Sequence, residues 1–467
     1  MIETAEKTIT IINPSTGTNI KNLNKHSVND LYNCVIRAKK AQESWQALTL
    51  KTRAEYMYNY REGLKRNREA LAELIMQENG KTNCEALAEI DKAIEVTEFA
   101  CSMPQIATGE TLEVSRGVTC RDQLDPLGVV ACITPFNFPC MVPNWTIPIA
   151  LVLGNAMILK PSEKVPLTAI RLAEILHESG VPEDIFQVLI GERELVEAIC
   201  DHKDIKAVSF VGSTKIAGLV YQRATKNLKP ALCLGGAKNH LIVLPDAHPD
   251  MTASNIAASF TGCAGQRCMA ASVMIAVGES NHIIEKLIEH SRKLKARTDI
   301  GAIITEESKK RIERLIAEAE QDGATVILDG RNIKGDGYFV APTIIDNVTP
   351  QMAIAHEEVF GPVISIIRVN TVDEAIEIQN KNEYGNGAGV FTQSGRSANY
   401  ITDKLSAGMV GINIGVPVPR EPFSFGGWNT SKFGSGDITG KSAIHFWTKK
   451  KKITSKWNPE SQTNWMS

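Results

Sequence analysis

The stretch Phe260-Thr261-Gly262-Cys263-Ala264-Gly265-Gln266-Arg267-Cys268-Met269-Ala270 sets two cysteines among small residues, with an arginine directly before the second. A cysteine is a strong nucleophile only as its thiolate, which nearby positive charge or oriented backbone N–H groups favour. Glycines allow close approach of a ligand, so Cys268 is the candidate nucleophile. Asn137, within Pro135-Phe136-Asn137-Phe138-Pro139, offers a neutral amide donor that can hold an oxyanion without protonating it. In Lys160-Pro161-Ser162-Glu163 a lysine can donate to ribose or phosphate oxygens, and a carboxylate can accept from both ribose hydroxyls. Phe210-Val211-Gly212-Ser213-Thr214 puts a glycine and two hydroxyls at a helix start, whose N–H groups and dipole suit a pyrophosphate. Taken singly, each has an ordinary alternative: a buried core thiol, a proline-flanked turn, a surface glutamate or a helix N-cap.

The segments that must position these residues alternate in type. Thr8 to Asn13 reads as a short strand closed by Asn13-Pro14-Ser15-Thr16-Gly17, and Ser27 to about Cys101 keeps helical spacing of apolar residues. Glu110 to Leu124 reads as a hairpin about Arg116-Gly117. From Gly128 onward, apolar strands alternate with helices: Gly128–Thr134, Ala156–Leu159, Phe186–Ile190 and Ala207–Val211 are the strands. This pattern implies a parallel sheet covered on both faces, with ligands beyond the carboxyl ends of its strands. Pro135–Pro139, Lys160–Glu163 and Gly212-Ser213-Thr214 sit at such ends, as does Gly191-Glu192. A second alternating set, from Leu241 onward, suggests another α/β domain beginning near Gly235. Phe446-Trp447-Thr448 and Lys452-Ile453-Thr454 read as leftover strand pieces, available to the 110–125 hairpin or to another subunit.

Composition narrows the class. At 467 residues two or three domains are expected. A net charge of −2 gives no reason to expect nucleic acid or an anionic membrane as partner. The run Lys449-Lys450-Lys451-Lys452 reads as a solvated strand or edge. Ten cysteines without CxxC pairs or a framework spacing, and a polar start at Met1-Ile2-Glu3-Thr4, point to a reducing cytoplasmic setting without metal. No apolar run is long enough to span a bilayer.

In their order and type, Ile133-Thr134-Pro135-Phe136-Asn137, Lys160-Pro161-Ser162-Glu163, Gly212-Ser213-Thr214, Leu234-Gly235-Gly236, Gly265-Gln266-Arg267-Cys268 and Glu357-Glu358-Val359-Phe360-Gly361-Pro362 resemble the aldehyde dehydrogenase superfamily. The resemblance covers nearly the whole chain. It implies an α/β fold with a Rossmann-type NAD-binding domain (1–106 and 126–235), an α/β catalytic domain (236–444) and a small β oligomerisation element (107–125 and 445–467). It makes Cys268 the nucleophile and Asn137 the oxyanion donor. Lys160 and Glu163 would hold the adenosine ribose, Ser213 a phosphate and Glu358 the nicotinamide ribose, with Phe360 beside the ring. Ile133, Thr134, Phe136, Ser162 and Gly212 complete the expected cofactor contacts. Glu163 favours NAD over NADP, because a carboxylate repels a 2′-phosphate.

Two departures point further. Cys233 stands where most of the superfamily has a glutamate that helps water attack the thioester, and Ala217 replaces a second glycine after Gly212. With Gly235-Gly236-Ala237-Lys238-Asn239-His240 and Gly411-Ile412-Asn413-Ile414-Gly415, they resemble the CoA-acylating branch that acts on methylmalonate and malonate semialdehyde. That implies NAD as cofactor, CoA as co-substrate, propionyl-CoA or acetyl-CoA with CO₂ as products, and a homodimer or homotetramer. A CoA thiol ionises far more readily than water, so it needs less help from a base. Arg121 and Arg267 are the candidates for a substrate carboxylate. The alternatives are a hydrolytic aldehyde dehydrogenase and a non-catalytic protein on the same fold.

Overall fold

The computed structural model describes residues 8–457; residues 1–7, and 458–467 of the expected C-terminal element, lie outside the described residues. The helical N-terminal quarter forms α1 (Val28–Ala47), α2 (Leu50–Arg66), α3 (Arg68–Asn79) and α4 (Asn83–Cys101). In α1, Leu31, Cys34, Val35, Ala38, Gln42 and Trp45 fall on one buried face, at the spacing the sequence shows. Helices α1 and α4 both begin with capping boxes: Ser27 with Asp30, and Thr82 with Glu85. Gly80, in the left-handed conformation at φ 79°, ends α3 and turns the chain sharply into α4.

The strands that follow build a six-stranded sheet. Its order is Lys432–Phe433, Ala231–Leu234, Ile205–Val211, Val129–Ile133, Ala156–Lys160 and Phe186–Val188. The last five are parallel. Val129–Ile133 and Ala156–Lys160 are buried throughout, which explains their unbroken apolar reading. The chain moves outward from Val129–Ile133 on one side, then returns to the other side with Ile205–Val211. The switch point therefore lies between these two strands, where such sheets open a crevice. Asn137 and Gly212 both follow it.

After Leu234 the chain enters a seven-stranded sheet ordered Thr325–Leu328, Thr343–Asp346, Val363–Val369, Ala271–Val277, Asn239–Val243, Gly387–Phe391 and Met409–Ile412. Only its edge strand Thr325–Leu328 runs antiparallel. Lys432–Phe433, far along the chain, crosses back to pair antiparallel with Cys233 and Leu234 on the first sheet. No propensity signal marks so short a strand.

A third sheet contains Thr448–Lys456, Val118–Pro126 and Thr111–Ser115, so the hairpin and the chain end do pair. The end differs in detail from the strand pieces read in sequence. Ser442–Phe446 is a short helix, Trp447 is fully buried, and one continuous strand then runs from Thr448. Trp447 packs in the core of the first sheet, and Asn155 Nδ2 donates to its backbone carbonyl at 2.9 Å. The lysine run is solvated on that strand, with Lys450 at 2.9 Å from Asp122 and Lys451 at 2.5 Å from Asp125.

Candidate active site

A cleft of about 930 Å³ opens where the carboxyl ends of the first sheet meet the second. Its floor carries Cys268. The helix Pro249–Thr261 ends at Gly262, and Cys263, Ala264 and Gly265 follow at φ 51°, 53° and 70°. Three consecutive left-handed residues fold this segment into a tight turn. A Cβ on Gly265 would lie 2.0 Å from the Gly361 carbonyl oxygen, so only glycine lets the turn press against the segment after Glu358. Asn239 and Asn386 then fix Cys268, their amides donating to its carbonyl at 2.8 and 2.9 Å. Burial pushes the Cys268 thiol up to about 12, and the Glu358 carboxylate adds to the rise.

Asn137 lies across the cleft floor from this loop. Its Nδ2 donates to the Gln266 carbonyl at 2.9 Å, leaving the second N–H of the amide for a ligand, while its buried Oδ1 has no partner. Gln266 is itself pinned, donating to Ala302 O at 3.0 Å and accepting from Ile304 N at 3.0 Å. Asn239, Asn386 and Gln266 were not among the sequence candidates. Gln266 sits in the nucleophile motif and Asn239 beside the double glycine, so only Asn386 carried no signal.

The wall nearest Cys268 holds Glu358 and Phe360. Glu358 Oε1 accepts from Ala237 N at 2.9 Å, and a Cβ on Gly236 would meet Oε2 at 2.5 Å, so the double glycine admits the carboxylate. Burial raises Glu358 to about 7, against the pull of the Ala237 N–H and of Lys238 and Arg311. Behind it Lys238 is fully buried, its Nζ has no hydrogen-bond partner, and burial brings it down to about 7. The Phe360 ring meets Phe136 edge-on at 5.8 Å, with Phe360 at φ 53°.

The far end of the cleft carries Lys160 and Glu163, their charged groups 3.4 Å apart. Burial lowers the Lys160 pKa; it works the other way on Glu163, but the Lys160 and Lys164 charges outweigh it and keep the carboxyl below its usual range. Between the two ends, Ile133, Thr134 and Ser162 line the cleft together with Gly212 and Ser213 at the start of the helix Thr214–Lys226. Ser213 makes no side-chain cap bond. Thr214 instead ties this turn to the other lobe, its Oγ1 accepting from Gly236 N at 2.8 Å and donating to Thr430 O at 3.3 Å. The start of that helix lines the cleft beside an uncommitted hydroxyl, the combination a diphosphate site uses. Val196 and the partly exposed Ile216 add an apolar shelf, unanticipated from sequence, against which a planar base can lie. Two polar ends, a helix N-terminus between them and an apolar shelf fit a dinucleotide.

Three sequence expectations fare differently. Arg121 is an exposed residue of the third sheet, paired with Ile453 and Thr111, and does not line the cleft. Arg267 turns away from the cleft: its guanidinium packs on Gly262, where a Cβ would lie 2.4 Å from Cζ, with Cys263 and Glu85 as charge neighbours. Cys233 is sealed in the core of the first sheet, with Cys200 as its charge neighbour, and burial pushes its thiol up. Strand alternation sends its neighbours Leu232 and Leu234 to the cluster that includes Cys268, and Cys233 to the opposite side. Among the described residues no group of three or more His, Cys, Asp or Glu side chains could hold a metal, and no helix is long and apolar enough to cross a membrane.

A cysteine and an amide donor on the floor of one cleft between two α/β sheets, with room for a dinucleotide, fit the arrangement of an aldehyde dehydrogenase. Residues 1–453 match the model of the aldehyde dehydrogenase family, and the chain belongs to that family. Within it, the chain is 41% identical over 461 residues to the malonate-semialdehyde dehydrogenase of Halalkalibacterium halodurans, spanning 97% of this chain and 95% of that protein. It is 40% identical over 458 residues to malonate-semialdehyde dehydrogenase 2 of Bacillus thuringiensis strain Al Hakam, spanning 96% and 94%. Among solved structures, the methylmalonate-semialdehyde dehydrogenase of Oceanimonas doudoroffii superposes with a TM-score of 0.95 at 39% identity, over 98% of this chain and 96% of that one. A putative methylmalonate-semialdehyde dehydrogenase of Sinorhizobium meliloti 1021, complexed with NAD, gives 0.95 at 40% identity over the same shares.

Proposed function

We propose that the chain is an NAD-dependent, CoA-acylating dehydrogenase of malonate and methylmalonate semialdehyde. The observation that carries the reading is that Cys268 and Asn137 line one cleft, Asn137 tied to Gln266 of the nucleophile loop, and that the carboxylate whose charge reaches the thiol there is Glu358. The named relatives support the substrate class. Cys268 adds to the aldehyde carbon as its thiolate, and the open N–H of Asn137 receives the developing oxyanion. NAD, when bound, would supply the hydride acceptor; Lys160 and Glu163 would hold one ribose, Ser213 and the helix start the diphosphate, and Glu358 the other ribose. The acyl group stays on Cys268 as a thioester, which the CoA thiol takes in exchange. Loss of the substrate carboxylate as CO₂ gives acetyl-CoA or propionyl-CoA.

A reading as three units follows: a cofactor domain (1–106 and 126–235), a catalytic domain (236–444) and an oligomerisation element (107–125 and 445–467). Exposed Leu112 and Val114 on the edge strand of the third sheet support a role for that sheet in a homodimer or homotetramer. All ten cysteines are unpaired, which supports a reducing cytoplasmic setting.

The test is transient kinetics. Enzyme, NAD and malonate semialdehyde without CoA should give a burst of NADH near one per site and then slow turnover, with CoA restoring steady turnover and yielding acyl-CoA. A fast steady state without CoA, forming the free acid, would favour the hydrolytic alternative.

A further inference from the structure

The turn between α3 and α4 touches neither the nucleophile nor the oxyanion donor with a reactive atom, yet it grips the loops that carry both. Lys81, with its side chain only 2% exposed, donates from Nζ to the Asn137 carbonyl oxygen at 2.5 Å and to the Glu89 carboxylate. Its ammonium also sits 3.9 Å from the Phe138 ring centre. Glu89, fully buried, accepts through Oε1 from Cys140 N at 2.8 Å and Met141 N at 3.0 Å. Asn79 Nδ2 donates to Phe136 O at 2.8 Å. The loop Phe136–Met141 is thus held on both sides of Asn137.

The same turn holds the nucleophile loop. Glu85, which closes the capping box of α4, also accepts from Cys263 N at 2.5 Å. Gly80 O accepts from Ala302 N at 2.9 Å, and Ala302 O is the partner that pins Gln266, whose own carbonyl takes the Asn137 amide. The path Asn137, Lys81, Gly80, Ala302, Gln266 and back to Asn137 is a closed ring of hydrogen bonds and chain.

A buried ion pair is a poor stabiliser, because the cost of taking two charges out of water offsets their attraction; an apolar pair of similar volume often does as well. Its use here is directional. Lys81 meets the backbone of the one residue whose side chain must point at a reacting oxygen.

Resting on the assignment of Asn137 as oxyanion donor, we propose that Lys81 is a positioning residue for the reaction, which with Glu89 fixes the Asn137 amide relative to Cys268. It touches no reacting atom and acts through Asn137 alone. Misplacing a catalytic group by about 1 Å costs on the order of a hundredfold in rate, and loss of one oxyanion donor costs about a hundred- to a thousandfold.

The experiment is a double-mutant cycle read by the rate constant of the NADH burst, without CoA, so that acyl transfer does not enter. Lys81→Met should slow the burst about a hundredfold while NAD affinity, measured by quenching of protein fluorescence, stays at the parent value. In an Asn137→Ala background, Lys81→Met should slow it less than about threefold further, because the donor it orients is gone. An equal factor in both backgrounds would overturn the proposal and leave Lys81 as general scaffold. An unchanged burst in Asn137→Ala alone would instead show that the oxyanion assignment is wrong. If Lys81→Met does not fold, Glu89→Gln, which keeps an acceptor for Cys140 N and Met141 N, replaces it in the same cycle with the same two outcomes.

Discussion

Glu358 and Cys268 face one cleft, and the charge of the carboxylate opposes ionisation of the thiol. Burial first, and that charge with it, push the Cys268 thiol up to about 12, so at neutral pH the thiol form dominates. Iodoacetamide should label it slowly at pH 7 and faster as pH rises toward about 12. Glu358→Gln removes the opposing charge and lowers the thiol pKa; each unit of lowering is about tenfold more thiolate at fixed pH. Labelling of the variant at pH 7 should be faster than in the parent. Slower labelling would show that Glu358 acts as a base toward the thiol. The buried Cys263 serves as control, since Cys263→Ala should leave the labelling rate unchanged.

Cofactor affinity should depend on pH through the same carboxylate. Glu358 is raised to about 7, so it is protonated below that value and ionised above it. A carboxylate accepts from ribose hydroxyls better than a carboxylic acid does, so NAD affinity should climb as pH rises through about 7 and then level. Lys238→Met removes a buried group whose charge, carried below about 7, helps hold Glu358 down, which shifts the climb to higher pH. Isothermal titration from pH 6 to 9 checks both statements, and coinciding curves for parent and variant would contradict the second.

Cys233→Glu would not create a hydrolytic enzyme. The side chain at this position enters the core of the first sheet and not the cleft, so a carboxylate there finds no water to activate. An unpaired buried carboxylate costs at least several kcal/mol or takes up a proton. The variant should show a lower unfolding midpoint and a CoA-free steady state no faster than the parent. Faster hydrolysis would place residue 233 within reach of the thioester.

At the far end of the cleft, Glu163→Gln should relax discrimination against NADP. Lys160 and Lys164 remain beside the site and attract a 2′-phosphate once the carboxylate charge is gone. Loss of one charge-assisted hydrogen bond, about 1.5–3 kcal/mol, amounts to roughly ten- to a hundredfold in NAD affinity. Titrating both cofactors into parent and variant reads the ratio directly.

Much of the site was legible because its chemistry sits at strand ends, where burial forces apolar runs and the polar residue that follows stands out. Asn137, Lys160, Glu163, Gly212 and Ser213 were all found that way. The strand Val129–Ile133 and its partners were legible for the same reason. Side-chain direction was not. Cys233, Arg121 and Arg267 have suitable types in suitable motifs, but strand alternation, a separate sheet and a glycine-sized space turn them elsewhere. Contacts made across long sequence distances were equally hidden: nothing local to Lys81 or Phe433 announces its partner.

The pairing of Val118–Pro126 with Thr448–Lys456 bears on how the chain reaches this state. The two strands match residue for residue, Val118 with Lys456 through to Pro126 with Thr448, across more than three hundred intervening residues. On a ribosome the hairpin emerges more than three hundred residues before its partner strand, and the edge of Val118–Pro126 stays open meanwhile. Non-local strand pairing of this kind is slow to form and exposed to wrong partners while it waits. Asp122 and Asp125 carry charge along the waiting edge, and their partners Lys450 and Lys451 arrive only with the later strand. A nascent chain cut short before Thr448 would carry a complete cleft and an uncovered edge, and aggregation of such fragments should set the yield of the protein.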